Sequence, residues 1–341
     1  MSEPSGALPL LNGVRVVDLT STLAGPYGTL LLGDLGADVV KVEPPRGDTI
    51  RDVGPRVHDD MGAIFLNLNR NKRSVVIDLS TAGGRTNLRR LCDRADVVVH
   101  NMRPSAADRC GASAEALRAG HDRLIHCAIR GFGDGPYGDL PAYDDVIQAV
   151  SGMAAMQARI AGEPQYVANA VADKVAGMTA AMAIAAALYR RENTGQGCAI
   201  EVPMFETVTA FTLLEHLYGH TFVPPKGEAC YPRQASPIRR PYRTADGWVA
   251  VLVYTNDQWA RFLELIGRPD LAKDERFRSL NSRTENINDV IEVVERALAS
   301  GKSDDWVERL SAIGIPARRY LTVDELFDDP HLAAVGFFHR Y

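Results

Sequence analysis

Val14-Arg-Val-Val-Asp-Leu19 and Asp38-Val-Val-Lys-Val-Glu43 decide the fold. Both runs are short, β-branched and apolar with almost no polar alternation, the pattern of strands buried on both faces of a parallel sheet. Outward from them, Ser74-Val-Val-Ile-Asp-Leu79, Asp96-Val-Val-Val-His100 and Leu124-Ile-His-Cys-Ala-Ile129 repeat the pattern. Helical periodicity fills the intervals at 26–35, 82–94 and 113–120, the last opening with Ser113-Ala-Glu-Ala. The alternation predicts a doubly wound α/β sheet whose ligands belong at the strand ends. Gly131-Phe-Gly-Asp-Gly135 superficially resembles a dinucleotide fingerprint, but it runs on into Pro136-Tyr-Gly and reads as a loop. Residues 145–220 are predicted helical apart from the Gln165 region and a strand near 199–203. Pro224-Pro-Lys-Gly227, Pro232 and the Pro237–Pro241 segment then break periodicity and mark a linker or an irregular active-site loop. Asp246-Gly-Trp-Val-Ala-Val-Leu-Val-Tyr254 reads as a turn and strand, with helices near 256–266, 284–299 and 303–313. The division expected is a large α/β domain over 1–220, and a linker with a small α+β domain over 221–341.

Composition excludes several function classes. The chain has 341 residues, 46% hydrophobic and 24% charged, enough for more than one core. A net charge of −5 and a pI near 5.9 provide no basic field for nucleic acid. Arg70-Asn-Lys-Arg73 and Arg239-Arg240 are clusters short enough to be anion contacts or solvated surface. The cysteines at 92, 110, 127, 198 and 230 lack Cys-x-x-Cys spacing, which suits a reducing cytosol. Met1 to Gly13 lacks the pattern of a signal peptide, and no uninterrupted apolar run reaches about 18 residues. The expectation is a cytoplasmic protein with no membrane partner. Neither a phosphate-loop motif nor a His-Glu-x-x-His metal motif is present, so no metal site is expected.

One long stretch carries the chemical signal: Val171-Ala-Asp-Lys-Val-Ala-Gly-Met178 opens an alanine-rich helix that ends near Thr194-Gly-Gln-Gly197. Asp173 has two readings. As a plain N-cap it accepts orphan N–H groups of the first turn, and the helix dipole favours its ionised form. As an oxygen nucleophile it forms a covalent acyl intermediate.

Leu23-Ala-Gly-Pro-Tyr27, Gly33-Asp-Leu-Gly-Ala-Asp-Val-Val-Lys-Val-Glu-Pro-Pro45, Asn69-Arg-Asn-Lys-Arg-Ser74, Ala95-Asp-Val-Val-Val-His-Asn-Met-Arg-Pro104, the Asp173 helix and Thr194-Gly-Gln-Gly197 occur in one order. Together they resemble the family III CoA-transferases (CaiB/BaiF), the class of formyl-CoA and carnitine CoA-transferases, with α-methylacyl-CoA racemases as a divergent branch. The resemblance covers nearly the whole chain. It implies a Rossmann-like large domain, a smaller domain and an interlinked homodimer. It also implies a reaction that moves CoA between an acyl-CoA thioester and a free carboxylic acid through a mixed anhydride on Asp173. No permanently bound cofactor is implied, and coenzyme A enters as the thioester substrate. Matching positions for CoA are Asn71, Lys72, Arg73, Asn101 and Arg109, with Arg130 where some relatives carry a lysine. Ala24, at the start of a helix after the first strand, offers backbone N–H groups for an oxyanion or a phosphate. Tight helix packing is the other reading of that glycine-containing turn, and a surface charge is the other reading of Arg109.

Some positions depart from the family pattern. Leu23 stands where formyl-CoA transferases carry a glutamine, and no polyglycine loop occurs between 220 and 245. Members of the family continue beyond a stretch like Val335-Gly-Phe-Phe-His-Arg-Tyr341 into a C-terminal return segment, which is expected to be absent here. In Ala142-Tyr-Asp-Asp-Val-Ile-Gln-Ala149, Tyr143 occupies the place of the racemases' histidine. A phenol with a pKa near 10 is a poor base at neutral pH, which ranks transferase above racemase. A non-catalytic CoA-binding relative is the third reading.

Overall fold

The computed structural model describes residues 9–339, which divide into two compact units. The first holds residues 9–157 and Pro164–His216, and the second holds Ala158–Glu163 and residues 217–339.

In the first unit, β1 (Arg15–Asp18), β2 (Asp38–Glu43), β3 (Lys72–Val76), β4 (Val97–His100), β5 (Ile125–Arg130) and β6 (Ala199–Pro203) form one sheet in the order β3-β2-β1-β4-β5-β6. All its pairings are parallel. The helices are α1 (Ala24–Asp34), α2 (Ala63–Asn69), α3 (Ala82–Cys92), α4 (Pro104–Cys110), α5 (Ala114–Arg118), α6 (Asp144–Val150), α7 (Met153–Ala161, of which the residues from Ala158 on count with the second unit), α8 (Val171–Thr194) and α9 (Met204–His216). Adjacent strand residues point to opposite faces, so each apolar run supplies two cores at once. Val16, Val39, Val97 and Val99 pack with Leu32 and the small residues of α8. Val17, Val42 and Val98 pack with Leu88, Cys92 and Leu117 from the other side. The chain reverses its winding between β1 and β4, and the crevice outside their carboxyl ends is where such sheets bind ligands.

Three local expectations need revision. The third strand spans Lys72–Val76 rather than 74–79, because Asp78 accepts from both the N–H and the hydroxyl of Ser80 (3.0 and 2.6 Å) and turns the chain. Helices α2 and α4 lie where none was predicted, since both are single short segments of seven residues. By length and composition α8 is apolar enough to cross a membrane, which revises the expectation drawn from uninterrupted runs. In this fold it packs on α1, α6, α9 and β5, and it buries Ala172, Ala176, Gly177, Ala180 and Ile184. Its end is set by Gly195, whose φ of 74° lies in the left-handed region and whose N–H returns to the Arg191 carbonyl at 2.8 Å.

The second unit has an antiparallel sheet of β7 (Tyr242–Arg243), β8 (Trp248–Val251) and β9 (Ala317–Arg319) in the order β7-β8-β9. Its helices are α10 (Asn256–Leu265), α11 (Leu280–Glu285), α12 (Ile287–Leu298), α13 (Ser303–Ala312) and α14 (Pro330–Ala334). Thr255 and Gln258 form a reciprocal capping box that starts α10. Val249, Trp259, Phe262, Phe277, Val294, Leu298 and Trp306 make a separate core.

Candidate functional site

Helices α1 and α8 cross with almost no side chain between them. A Cβ added at Gly177 would lie 2.4 Å from the Ala24 carbonyl oxygen, and one added at Gly28 would lie 2.8 Å from the Gly177 carbonyl oxygen. Asp173 stands one turn before Gly177 on α8. The Ala24 carbonyl takes part in this close approach, whereas a Cβ added at Gly25, within the turn itself, would lie 2.3 Å from the Thr20 side chain.

Asp173 is not the N-cap. The helix begins at Val171, Ala170 occupies the cap without a side-chain bond, and Asp173 is the third helical residue. Its N–H donates to the Asp144 carboxylate of α6 at 2.9 Å, and Asp144 also accepts from the Gln148 amide at 2.6 Å. The cap is thus supplied by another helix. Among the described residues no hydrogen bond reaches the Asp173 carboxyl oxygens. Burial, then the neighbouring charges of Asp144 and Asp145, push its pKa up to about 7. This reverses the expected dipole-stabilised ionised form: desolvation and two like charges outweigh the helix dipole.

The loop that feeds α1 is held by a buried ionic network. Thr20 donates its N–H and hydroxyl to Asp18 (2.9 and 2.5 Å), and Thr29 donates to the other Asp18 oxygen at 2.6 Å. Lys41 pairs with Asp48 at 2.9 Å and donates to the Thr20 carbonyl at 2.8 Å. Asp48 in turn accepts the Thr22 N–H at 3.1 Å, which holds Thr22 at a φ of 69°. Burial alone would raise the Asp18 pKa, yet Lys72 and Lys41 hold it at about 2. Glu43 is likewise held at about 2 against the penalty of burial, by Arg51, Ser74 and the Asp48 N–H.

The expected CoA contacts separate into several environments. Asn101 exchanges two bonds with the Ser21 backbone (3.0 and 2.9 Å), clamping the β1 loop to the end of β4. It lines a cavity of about 400 Å³ at the carboxyl ends of the strands, with Glu43, Arg46, Ser80 and Met102. Lys72 does not face such a cavity. Its ammonium is buried and meets Asp18, the Pro26 carbonyl and Asn69 (3.1, 2.9 and 2.9 Å), so its three donors are already engaged. Arg73 forms a bidentate pair with Asp38 across the β2–β3 edge, and Asn71 donates to Asp34 at 2.8 Å. The segment Asn71–Arg73 lies at the amino end of β3, whereas ligands of such sheets bind outside the carboxyl ends of the strands. Arg130 is held by Asp134, Glu201 and the Gly138 carbonyl, bracing the loop after β5. Arg109 is exposed in the last turn of α4 and makes no ion pair among the described residues.

Two further residues stand at these places without having been singled out from the sequence. Arg46 is exposed, lines the strand-end cavity and has no ion pair among the described residues. Its signal was the Pro44-Pro45 turn directly after a buried strand. Asp144 was visible only as half of an acidic pair beside Tyr143. Tyr143 itself precedes α6 and is 69% exposed.

The family model for CoA-transferase family III matches residues 11–341. This chain belongs to CoA-transferase family III. It is 35% identical to the acetyl-CoA:oxalate CoA-transferase of Acetobacter aceti, over 98% of this chain and 87% of that protein. It is 34% identical to the probable fatty acyl-CoA transferase Rv3272 of Mycobacterium tuberculosis, over 95% of this chain and 85% of that protein. The crystal structure of a CAIB/BAIF family protein from Brucella suis superposes with a TM-score of 0.78 at 33% identity, covering 96% of this chain and 88% of that one.

Proposed function

We propose that this member of family III transfers CoA between an acyl-CoA thioester and a free carboxylic acid through anhydrides on Asp173. The observation that carries the reading is the Asp173 carboxyl: it lacks a hydrogen-bonding partner among the described residues, its pKa is raised to about 7, and it sits one turn from the α1–α8 crossing. An ionised carboxylate without donors is a stronger nucleophile than one that is capped. Asp173 attacks the thioester carbonyl, the C–S bond breaks, and CoA leaves as a thiolate with the acyl group on an Asp173 anhydride. The thiolate attacks the aspartyl carbonyl of that anhydride, releasing the donor acid and leaving an Asp173 thioester. The acceptor carboxylate attacks this thioester, whose C–S bond breaks to release CoA thiolate again, and a second anhydride forms. CoA thiolate then takes the new acyl group and frees Asp173. Backbone N–H groups at the α1 start near Ala24 are suited to the oxyanion, and Arg46 is suited to a CoA phosphate. The names of relatives include both oxalate and fatty acyl substrates, so the acid is specified by features outside the shared motifs.

We propose further that the chain works as a homodimer. Met178, Met182 and Tyr189 on α8 and Phe211 and Leu214 on α9 are exposed apolar side chains, Tyr189 75% and Leu214 86%, on helices that carry the site.

Chemical trapping tests the mechanism. Enzyme incubated with acetyl-CoA and then hydroxylamine should gain a hydroxamate on one peptide spanning Gln165 to Arg190, and Asp173→Asn should lose it. A label on Cys198, or acyl exchange without any label, would sink the Asp173 assignment.

A further inference from the structure

Arg239-Arg240, one of the two basic clusters in the sequence, borders a cavity that the transfer chemistry does not use. This cavity, about 330 Å³, lies wholly in the second unit between β8, α12 and the proline-rich stretch before β7. Val253, Val290, Ile291 and Val294 form a buried apolar floor. Four guanidinium groups border it, and two are already engaged. Arg283 is buried and donates to the Phe277 carbonyl, the Tyr254 carbonyl and Asn256 (2.9, 3.0 and 2.9 Å). Arg240 pairs with Glu295 at 3.0 Å.

Arg233 and Arg239 are different. Neither forms an ion pair among the described residues, and Arg233 hydrogen-bonds the Tyr231 side chain. Desolvation at the rim and the facing charge of Arg233 both lower the Arg239 pKa. A guanidinium cannot relieve such repulsion by losing its proton at physiological pH. An anion between the two side chains would relieve it, and a carboxylate matches the planar donor fork. A small inorganic ion would satisfy the charges but leave the valine and isoleucine floor wet.

We propose that this cavity binds an organic carboxylate with a short apolar body, its carboxylate bridging Arg233 and Arg239 and its hydrocarbon lying on Val253, Val290 and Ile291. The volume is at the small end of ligand pockets, which suits a compact acid. The inference stands on the second unit alone and does not depend on Asp173 being the nucleophile.

Calorimetric titration of the full chain with sodium hexanoate tests it, alongside hexanol, sodium sulfate and free CoA. Saturable hexanoate binding is expected, weaker by about tenfold or more in both Arg233→Gln and Arg239→Gln, the scale of one lost charge-assisted bond. Hexanol and sulfate should each bind more weakly than hexanoate, and CoA should not compete. Phenylglyoxal should modify Arg239 more slowly when hexanoate is present. Hexanoate held at the Asp173 site is separated by titrating Asp173→Asn, which should retain the arginine-dependent binding. The proposal is overturned if wild type shows no saturable binding, if both arginine variants bind as wild type does, or if CoA displaces hexanoate from the arginine-dependent site. Circular dichroism confirms that each variant is folded, and Arg239, exposed and without an ion pair, is the substitution least able to disturb the fold.

Discussion

Asp173 and Lys72 show how differently two polar residues of one motif set can be employed. In Asp173 the folded pKa of about 7 lies above the unfolded value, so the neutral form is favoured and stability falls as pH rises from about 4 to about 7. Asp173→Asn removes that cost. The variant should match wild type at pH 4 and gain on the order of 1–4 kcal/mol at pH 8, measured by denaturant unfolding. Acyl exchange should be lost in the same variant. In wild type the rate should rise through an apparent pKa near 7 as Asp173 ionises. A rate that declines across that range would contradict a nucleophilic carboxylate. For Lys72, replacement by Met should cost about 3–5 kcal/mol, because it leaves Asp18 buried without its partner. Were Lys72 a phosphate contact instead, the variant would keep its melting temperature and lose CoA affinity.

Among the elements, the α1–α8 crossing has the least tolerance for added volume. Gly177→Ala would place a methyl 2.4 Å from the Ala24 carbonyl oxygen, a backbone atom that cannot rotate away. The expected cost is about 1–3 kcal/mol, with a loss of exchange activity because the α1 start shifts from Asp173. Thermal melts and exchange rates compared with Ala176→Gly separate this steric effect from a general response to substitution in α8. The strands and α8 were legible in the sequence because β-branched runs and an alanine-rich stretch ending at Thr194-Gly195 report on local chemistry. Asn101 was legible as a polar residue just beyond a buried strand, but its clamp on Ser21 was not, since that contact joins the loops after two strands that are neighbours only after folding. The same holds for Asp144: no local pattern says that its carboxylate caps a different helix. Lys72 was misread for a related reason, since a lysine beside a strand end looks the same whether it turns outward or under α1.

For the whole molecule, the exposed apolar side chains of α8 and α9 predict association. Sedimentation at micromolar concentration should give a dimer, and Met182→Glu with Leu214→Glu should shift it toward monomer while leaving the helical spectrum unchanged. A wild-type monomer under those conditions would remove the basis for the dimer. The strand order has a further consequence, for the history of the chain rather than its final form. As synthesis proceeds, β1, β2 and β3 can pair as soon as they emerge, but the other edge of β1 stays open until β4 arrives, and Ser21 waits for Asn101, 80 residues downstream. Through that interval the valines of β1 present an unpaired hydrogen-bonding edge to any neighbouring nascent chain. The crevice between β1 and β4 thus begins as an open seam in the nascent protein, and faster arrival of β4 shortens the time for which that seam can be joined by another chain.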